Sequence, residues 1–508
     1  MARQAHGEIR STREFPRGGR ITEKRARIVG LLNQSAAANL AQPAQQSSTG
    51  LAFMFPALQA PEFRLPVSTQ TVENLKQLAV AMAEPATDLQ SEDSDIPAAY
   101  TYLGQFIDHD VSKVEALPGF EIKSLRAAAL LGPMSDPLNQ HENQRLAPLD
   151  LDSVYTKAAE DQGNTGKLRL GAVSVVGNRP PGKDDFNDLP RNEPSPDINF
   201  DRAAQIGDPR NDENLIVAQL HVAFLRAHNA LVVQLGDRLK ARAALTELYL
   251  DIIFTDFLPR IANLDVLNRV LAEGRKVWTP ETLGDVPLEH SGAAFRYGHS
   301  MVRATYDYNL NFGLGGVQSQ GQRAPFSQLF TFTALSGQML GLPNVPENWI
   351  IDWQRIAGTE KARRIDTFIT PAMNQLTDTE GKQFTDGMNI LAERNLLRGY
   401  VLGLPTGQAV AGAIPNAPVL SGQALLDALP TASLKLAAEP FKDASPLWFY
   451  LLAEAGAAGG RLGVVGSTIV IETLHALAEA TKLPLPKGKV TGPSGRLLDL
   501  LRLSGNLP

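Results

Sequence analysis

The stretch Asp95-Ile96-Pro97-Ala98-Ala99-Tyr100-Thr101-Tyr102-Leu103-Gly104-Gln105-Phe106-Ile107-Asp108-His109-Asp110 sets the reading of the whole chain. Tyr100, Leu103, Phe106 and Ile107 recur at the three- and four-residue steps of an amphipathic helix, and Asp95-Ile-Pro97 reads as its cap with proline in the first turn. On that helix Gln105, Asp108 and His109 fall at i, i+3 and i+4 and share one face, while Asp110 points about 100° away. An imidazole beside a carboxylate and an amide on an apolar turn costs desolvation that folding alone would avoid. A capped helix end with a solvated acidic cluster explains the spacing about as well.

Working outward, Leu215 to Leu235 is a long amphipathic run opened by Asp208-Pro209 and closed by Gly236, and Ala244 to Phe257 is another. Strict alternation is rare, so Leu168–Gly171 and Val173–Val176 are the only stretches that would serve as strands. Val176 to Asp197, Gly313 to Gln322 and residues 406–446 read as long loops of the kind that wrap a site. No apolar run approaches the ~18–20 residues of a membrane span. The expected organisation is a flexible N-terminal arm over 1–50 and a single, mainly α domain over 51–508.

Composition narrows the chemistry. With 508 residues, 43% hydrophobic and 20% charged, the chain is of globular composition. It has no cysteine, which removes thiolate nucleophiles, disulfides and cysteine-ligated metal centres. A net charge of −6 leaves no basic excess for nucleic acid. Ile28–Leu32 falls short of the ~7–15 apolar residues of a secretory signal core, so a soluble protein, cytoplasmic or non-classically secreted, is expected. Oligomeric state is not written in these features.

Four further constellations matter. In Gly207-Asp-Pro-Arg-Asn-Asp-Glu213, Asp208 caps and Pro209 starts a helix, and Arg210 and Glu213 sit three apart; an ordinary intrahelical ion pair would look the same. In Phe295-Arg-Tyr-Gly-His299, Arg296 and His299 are three apart and Gly298 lets something flat approach the imidazole, although a satisfied core histidine is the default. Asn395 opens an apolar helical stretch in Arg394-Asn-Leu-Leu-Arg398 and alone reads as a cap or surface amide. In Leu149-Asp-Leu-Asp-Ser-Val-Tyr155, Asp150, Asp152 and Ser153 offer hard oxygens that suit calcium better than zinc, or form a plain acidic turn. His221 and His228, seven apart, read as packing or hydrogen-bonding histidines. His6, His141, His290 and His475 receive no role.

Taken in order, these segments, with Leu225-Arg-Ala-His-Asn229, Gly403-Leu-Pro-Thr-Gly-Gln408, Pro446-Leu-Trp-Phe-Tyr-Leu-Leu452 and Gly460-Arg-Leu-Gly-Val-Val-Gly466, resemble the animal-type haem peroxidases of the peroxidase–cyclooxygenase superfamily, in a bacterial branch. The resemblance spans roughly 95–475. It implies a mainly α haem peroxidase fold, a helical core around a buried haem b with long loops and little strand. It further implies that His109 is the distal histidine, Arg210 the distal arginine and His299 the proximal iron ligand with Asn395 accepting its other ring N–H. Gln105 would hold distal water or a halide, Arg296 would neutralise a haem propionate, and Asp108 and Glu213 match carboxylates that form ester bonds to haem methyl groups in relatives. Asp110, Asp150 and Asp152 resemble a calcium (Ca2+) site.

The implied activity is reduction of hydrogen peroxide through a ferryl intermediate, with small anionic donors (bromide, iodide, thiocyanate) or phenolic donors oxidised in turn. Asn214 stands where the strongest-oxidising mammalian relative carries a sulfonium-forming methionine, which weakens the expectation of chloride oxidation. A fatty-acid dioxygenase or lipid peroxidase of the same superfamily, and a non-catalytic haem-binding adhesion or interaction module, are the alternatives.

Overall fold

The chain is described from a computed structural model, covering residues 49–83, 93–117, 124–145, 148–156, 159–160, 163, 165–175, 186–197, 199–281, 284–313, 322–374 and 389–508. Most of the expected N-terminal arm lies outside these residues; Thr49 and Gly50, at its end, are tied by backbone bonds to Asn143 and Val286.

The Ala99–Val111 helix forms, but it starts later than its sequence suggests. Asp93–Pro97 is instead a strand, paired antiparallel and irregularly with Lys361–Arg363. Asp95 therefore caps nothing: its carboxylate takes Arg461 Nη2 at 2.8 Å. The strand wins because the Ala98 N–H bonds Glu360 O at 2.9 Å, holding the entry to the helix extended. The last turn closes where the Ser112 N–H returns to Asp108 O.

Phe106, on the apolar face, stacks on Phe224 at 4.6 Å and meets Tyr249 edge-on at 6.2 Å. These rings lock the helix onto Leu215–Leu235 and Arg238–Asp251, which also pack on each other. Such pairs add ~0.5–1.5 kcal/mol each beyond burial, and truncating a buried phenylalanine costs about 3–5 kcal/mol. Leu215–Leu235 is capped by Asn214, not Asp208, and ends at Gly236 in the left-handed conformation, φ 63°. By length and composition this helix could cross a membrane, contrary to expectation, but 72% of its apolar window is buried inside the protein.

The second expected run begins earlier, at Arg238, and passes after Asp251 into a π-helical turn, Ile252–Phe257. Residues 406–446 are not a loop. Gly407–Ala413, Gly422–Asp427 and Ala432–Ala438 are short helices, with prolines such as Pro418 and Pro430 falling between them. Leu168–Gly171 and Ser174 contribute only isolated bridges. Among the described residues the regular strands form two-stranded ribbons, including Val114–Ala116 with His141–Asn143. The fold is mainly α, as expected.

Candidate functional site

One wall of the site is the polar face of Ala99–Val111. Gln105, Asp108 and His109 all line a cavity of about 700 Å3, and Asp110 points the other way into the protein. The volume lies within the ~300–1,000 Å3 of small-molecule sites.

The turn Pro209–Asp212 supplies the next residues. It is a 3-10 turn whose first N–H groups are met by Asp208, which accepts from Arg210 N at 2.9 Å. Gly207 is required here, because a Cβ would sit 2.6 Å from Asp152 O and 2.7 Å from Ser153 O. The far end is fastened by the buried pair Asp212–Arg191 at 2.7 Å and by Ala334 N on Asp212. Arg210 and Glu213 are thereby held on the cavity wall.

The expected Arg210–Glu213 ion pair gives way to a bond with Asp208, which accepts from Arg210 Nε and Nη2 at 3.0 and 2.6 Å. Burial opposes both charges, but each holds the other ionised: the Asp208 carboxyl stays well below the usual carboxylate range and Arg210 is raised. Arg210 Nη2 also donates to His109 O at 3.0 Å, which fixes the guanidinium beside the His109 turn.

His109 is buried. Its Nδ1 lies 2.8 Å from Asn211 Oδ1, and Asn211 Nδ2 lies 3.0 Å from Nδ1 of the buried His221. With the amide oxygen of Asn211 turned toward it, His109 carries its proton on Nδ1 and keeps Nε2 as the basic nitrogen. Burial, then the charge of Arg210, lower its pKa to about 4, so it is neutral at pH 7.

The opposite wall is the 3-10 segment Ala294–His299. Arg296 and His299 line the cavity; Arg296 Nε donates to Ser291 O at 2.9 Å and its carbonyl accepts from Trp448 Nε1 at 3.2 Å. A Cβ built on Gly298 would meet nothing within 4 Å, so space remains open beside the imidazole. Behind it, the Asn395 side-chain amide, from Leu391–Val401, lies 2.9 Å from His299 Nδ1.

Asp110, Asp150 and Asp152 are not brought together as a triad. Asp152 is turned to Arg145, whose guanidinium also reaches Asp208 at 3.7 Å. Asp110 and Asp150 do approach each other: burial and then, against Arg145, the Asp150 charge push the Asp110 carboxyl up to about 6. Asp150 Oδ1 and Ser153 Oγ are buried there without a hydrogen-bond partner. Among the described residues no group of three acidic or histidine side chains converges. The set that remains is Asp110, Asp150 and Ser153.

Several cavity residues escape a reading by sequence. Lys113, His141 and Arg398 line the cavity; Asn214, which the sequence singles out for another reason, caps its helix and donates to Gln105 Oε1 at 2.9 Å. Arg398 had a signal, three residues beyond Asn395 on one helix; Asn211, Lys113 and His141 had none, because only tertiary packing turns them toward the site.

The family model described as animal haem peroxidase matches residues 124–482. Among curated proteins, a peroxidase-like protein of Margaritifera margaritifera is 25% identical over 397 residues, 65% of this chain and 48% of that protein, so the chain spans about half of that relative's length. Among solved structures, peroxidase A of Dictyostelium discoideum aligns over 85% of this chain and 89% of its own, with TM-score 0.57 and 16% identity. The fatty acid alpha-dioxygenase of Oryza sativa aligns over 87% and 81%, with TM-score 0.54 and 14% identity. At these identities the solved structures speak for the fold alone. The helix bearing His109 precedes the span matched by the family model, so its place in the site rests on geometry.

Proposed function

Because the chain belongs to the animal haem peroxidase family, we propose that it is a haem-dependent peroxidase that reduces hydrogen peroxide and oxidises bromide, iodide, thiocyanate or phenolic donors. The observation that carries this reading is the approach of His109 and His299, from distant segments, to one cavity with Arg210 beside His109. The cavity fits haem b. Its volume, the open space at Gly298 and the cationic Arg296, Arg398 and Lys113, suited to propionate carboxylates, all favour it.

When bound, haem supplies an iron that takes up peroxide and a store of oxidising equivalents. The protein supplies the rest. His299 would hold the haem iron, and the Asn395 side-chain amide, 2.9 Å from His299 Nδ1, would accept the ring proton kept there once its oxygen faces the imidazole. Neutral His109 takes a proton from peroxide at Nε2 and returns it to the departing oxygen, while Arg210 stabilises the charge that develops. Asn214 holds Gln105, which orients water or a halide, and offers no sulfur for a haem link; bromide and iodide are therefore favoured over chloride. Asp108 and Glu213, both on the cavity wall, are the groups for ester links to haem. Asp110, Asp150 and Ser153 are the hard-oxygen set for calcium, which would tie the His109 helix to the loop at 149–155.

The test is an absorption spectrum of the haem-loaded protein. A Soret band that shifts with one equivalent of peroxide and recovers with iodide or a phenol is expected. His109→Ala should retain haem and slow the peroxide reaction by ~10²-fold or more. Oxygen uptake with a fatty acid in place of donor turnover would favour the dioxygenase branch, and failure to bind haem, or bound haem that never reacts with peroxide, would leave an interaction module.

A further inference from the structure

Tyr100, Tyr102 and Tyr297 all reach the cavity, and they differ in what their hydroxyl groups touch. Tyr100 donates to Asp256 Oδ2 at 2.7 Å. Neither of the other two has a carboxylate bonded to its hydroxyl among the described residues. Asp256 is itself fully buried and sits in the π-helical turn Ile252–Phe257, whose wider winding is uncommon and recurs at functional sites. Its Oδ1 accepts from Arg260 Nε at 3.0 Å and its Oδ2 also takes the Leu497 N–H at 2.9 Å. The Arg260 guanidinium lies over the Tyr100 ring, 4.3 Å from its centroid.

We propose that Tyr100 is a redox-active tyrosine, a one-electron oxidation site coupled to the cavity, with Asp256 as its built-in proton acceptor. The inference rests on the peroxidase reading, because the oxidant is a haem centre oxidised by hydrogen peroxide. Tyr100 gives that centre one electron. The phenolic O–H breaks, its proton moves along the 2.7 Å bond, and a carboxyl O–H forms on Asp256. Reduction by an external donor returns the electron, and the proton held on Asp256 moves back to the phenolic oxygen.

Coupling is what makes the site suitable. Burial, then the Asp256 charge, push the phenol well above its ordinary value, so the proton does not leave alone. An electron cannot leave alone either, since a cationic phenol beneath Arg260 would be repelled. Moving both at once avoids each charged state, and Asp256 keeps its other hydrogen bonds throughout. Tyr100 is 2% exposed, so a radical there is shielded from water. A purely structural role, tying the His109 helix to the π turn and the C-terminal helix Arg496–Leu503, would need the same bond but not a place on the cavity wall.

The experiment is electron paramagnetic resonance on haem-loaded protein frozen after one equivalent of peroxide without donor. A tyrosyl signal is expected in the wild type. It should be lost in Tyr100→Phe, retained in Tyr297→Phe, and weakened and delayed in Asp256→Asn, with haem uptake checked in each by the Soret band. A signal that persists in Tyr100→Phe, or no tyrosyl signal in a wild type that reacts with peroxide, overturns the proposal while leaving the peroxidase reading intact. A wild type that takes up no haem overturns both.

Discussion

Asn211 Oδ1 lies 2.8 Å from His109 Nδ1, an orientation that leaves Nε2 as the basic nitrogen of the cavity histidine. The same amide donates to His221, a ring whose burial lowers its pKa to about 3, so the pair His221–Asn211 is a neutral clamp across the working pH range. A carboxylate in that place would act differently, because an anion within hydrogen-bond reach favours the imidazolium.

The pH dependence of the peroxide reaction follows. His109 has a folded value of about 4, below the ordinary ~6.5, so it is a competent base above that value and is lost as pH falls through it. Stopped-flow rates should stay level from neutral pH down toward 5 and drop near 4. Asn211→Asp should move that limit up to ~5–7, whereas Asn211→Ala should slow the reaction by releasing the ring. An unmoved limb in the aspartate variant would remove Asn211 from its positioning role.

On the opposite wall, His299→Ala should abolish stable haem binding, read as loss of the Soret band. Asn395→Ala should be milder, with affinity falling ~10–100-fold, since it removes the partner of a ligand and not the ligand. Equal, full retention of haem in both variants would remove the ligand assignment.

Asp108 is held by Ser112 Oγ at 2.7 Å and Glu213 is buried on the facing turn. After repeated peroxide exposure, acid–organic extraction should leave haem on the wild-type chain. Mass spectrometry of Asp108→Val should show one attachment fewer. Complete extraction from the wild type shows that no ester forms.

Metal analysis of the purified protein should find about one calcium per chain, bound by oxygen ligands. Removal by a chelator should lower the thermal midpoint. Asp150→Ala should lose the ion and Asp152→Ala should keep it, because Asp152 is bonded to Arg145 whereas Asp150, although 3.3 Å from Arg242, keeps its other carboxylate oxygen buried and unpartnered. Loss of calcium in Asp152→Ala but not in Asp150→Ala would reverse the proposed ligand set.

The shared face of Gln105, Asp108 and His109 was legible because helical periodicity alone brings those positions together. The same holds for Arg296 and His299, one turn apart. Residues 406–446 were misread because prolines that separate short helices look, in sequence, like prolines that fill a loop. Asp152 was grouped with Asp150 by spacing and with Asp110 by the family resemblance, and neither carries information about Arg145, which reaches it from outside the motif.

By itself the sequence determined the helical class, the segments that carry chemistry and the absence of any cysteine route, since local periodicity and residue type are properties of neighbours along the chain. Only the tertiary structure decided that His109 and His299 face one cavity, that Arg210 is balanced by Asp208 and that Asn211 fixes a tautomer. Those depend on contacts between segments far apart in sequence, whose distances are set by packing and not by any local rule.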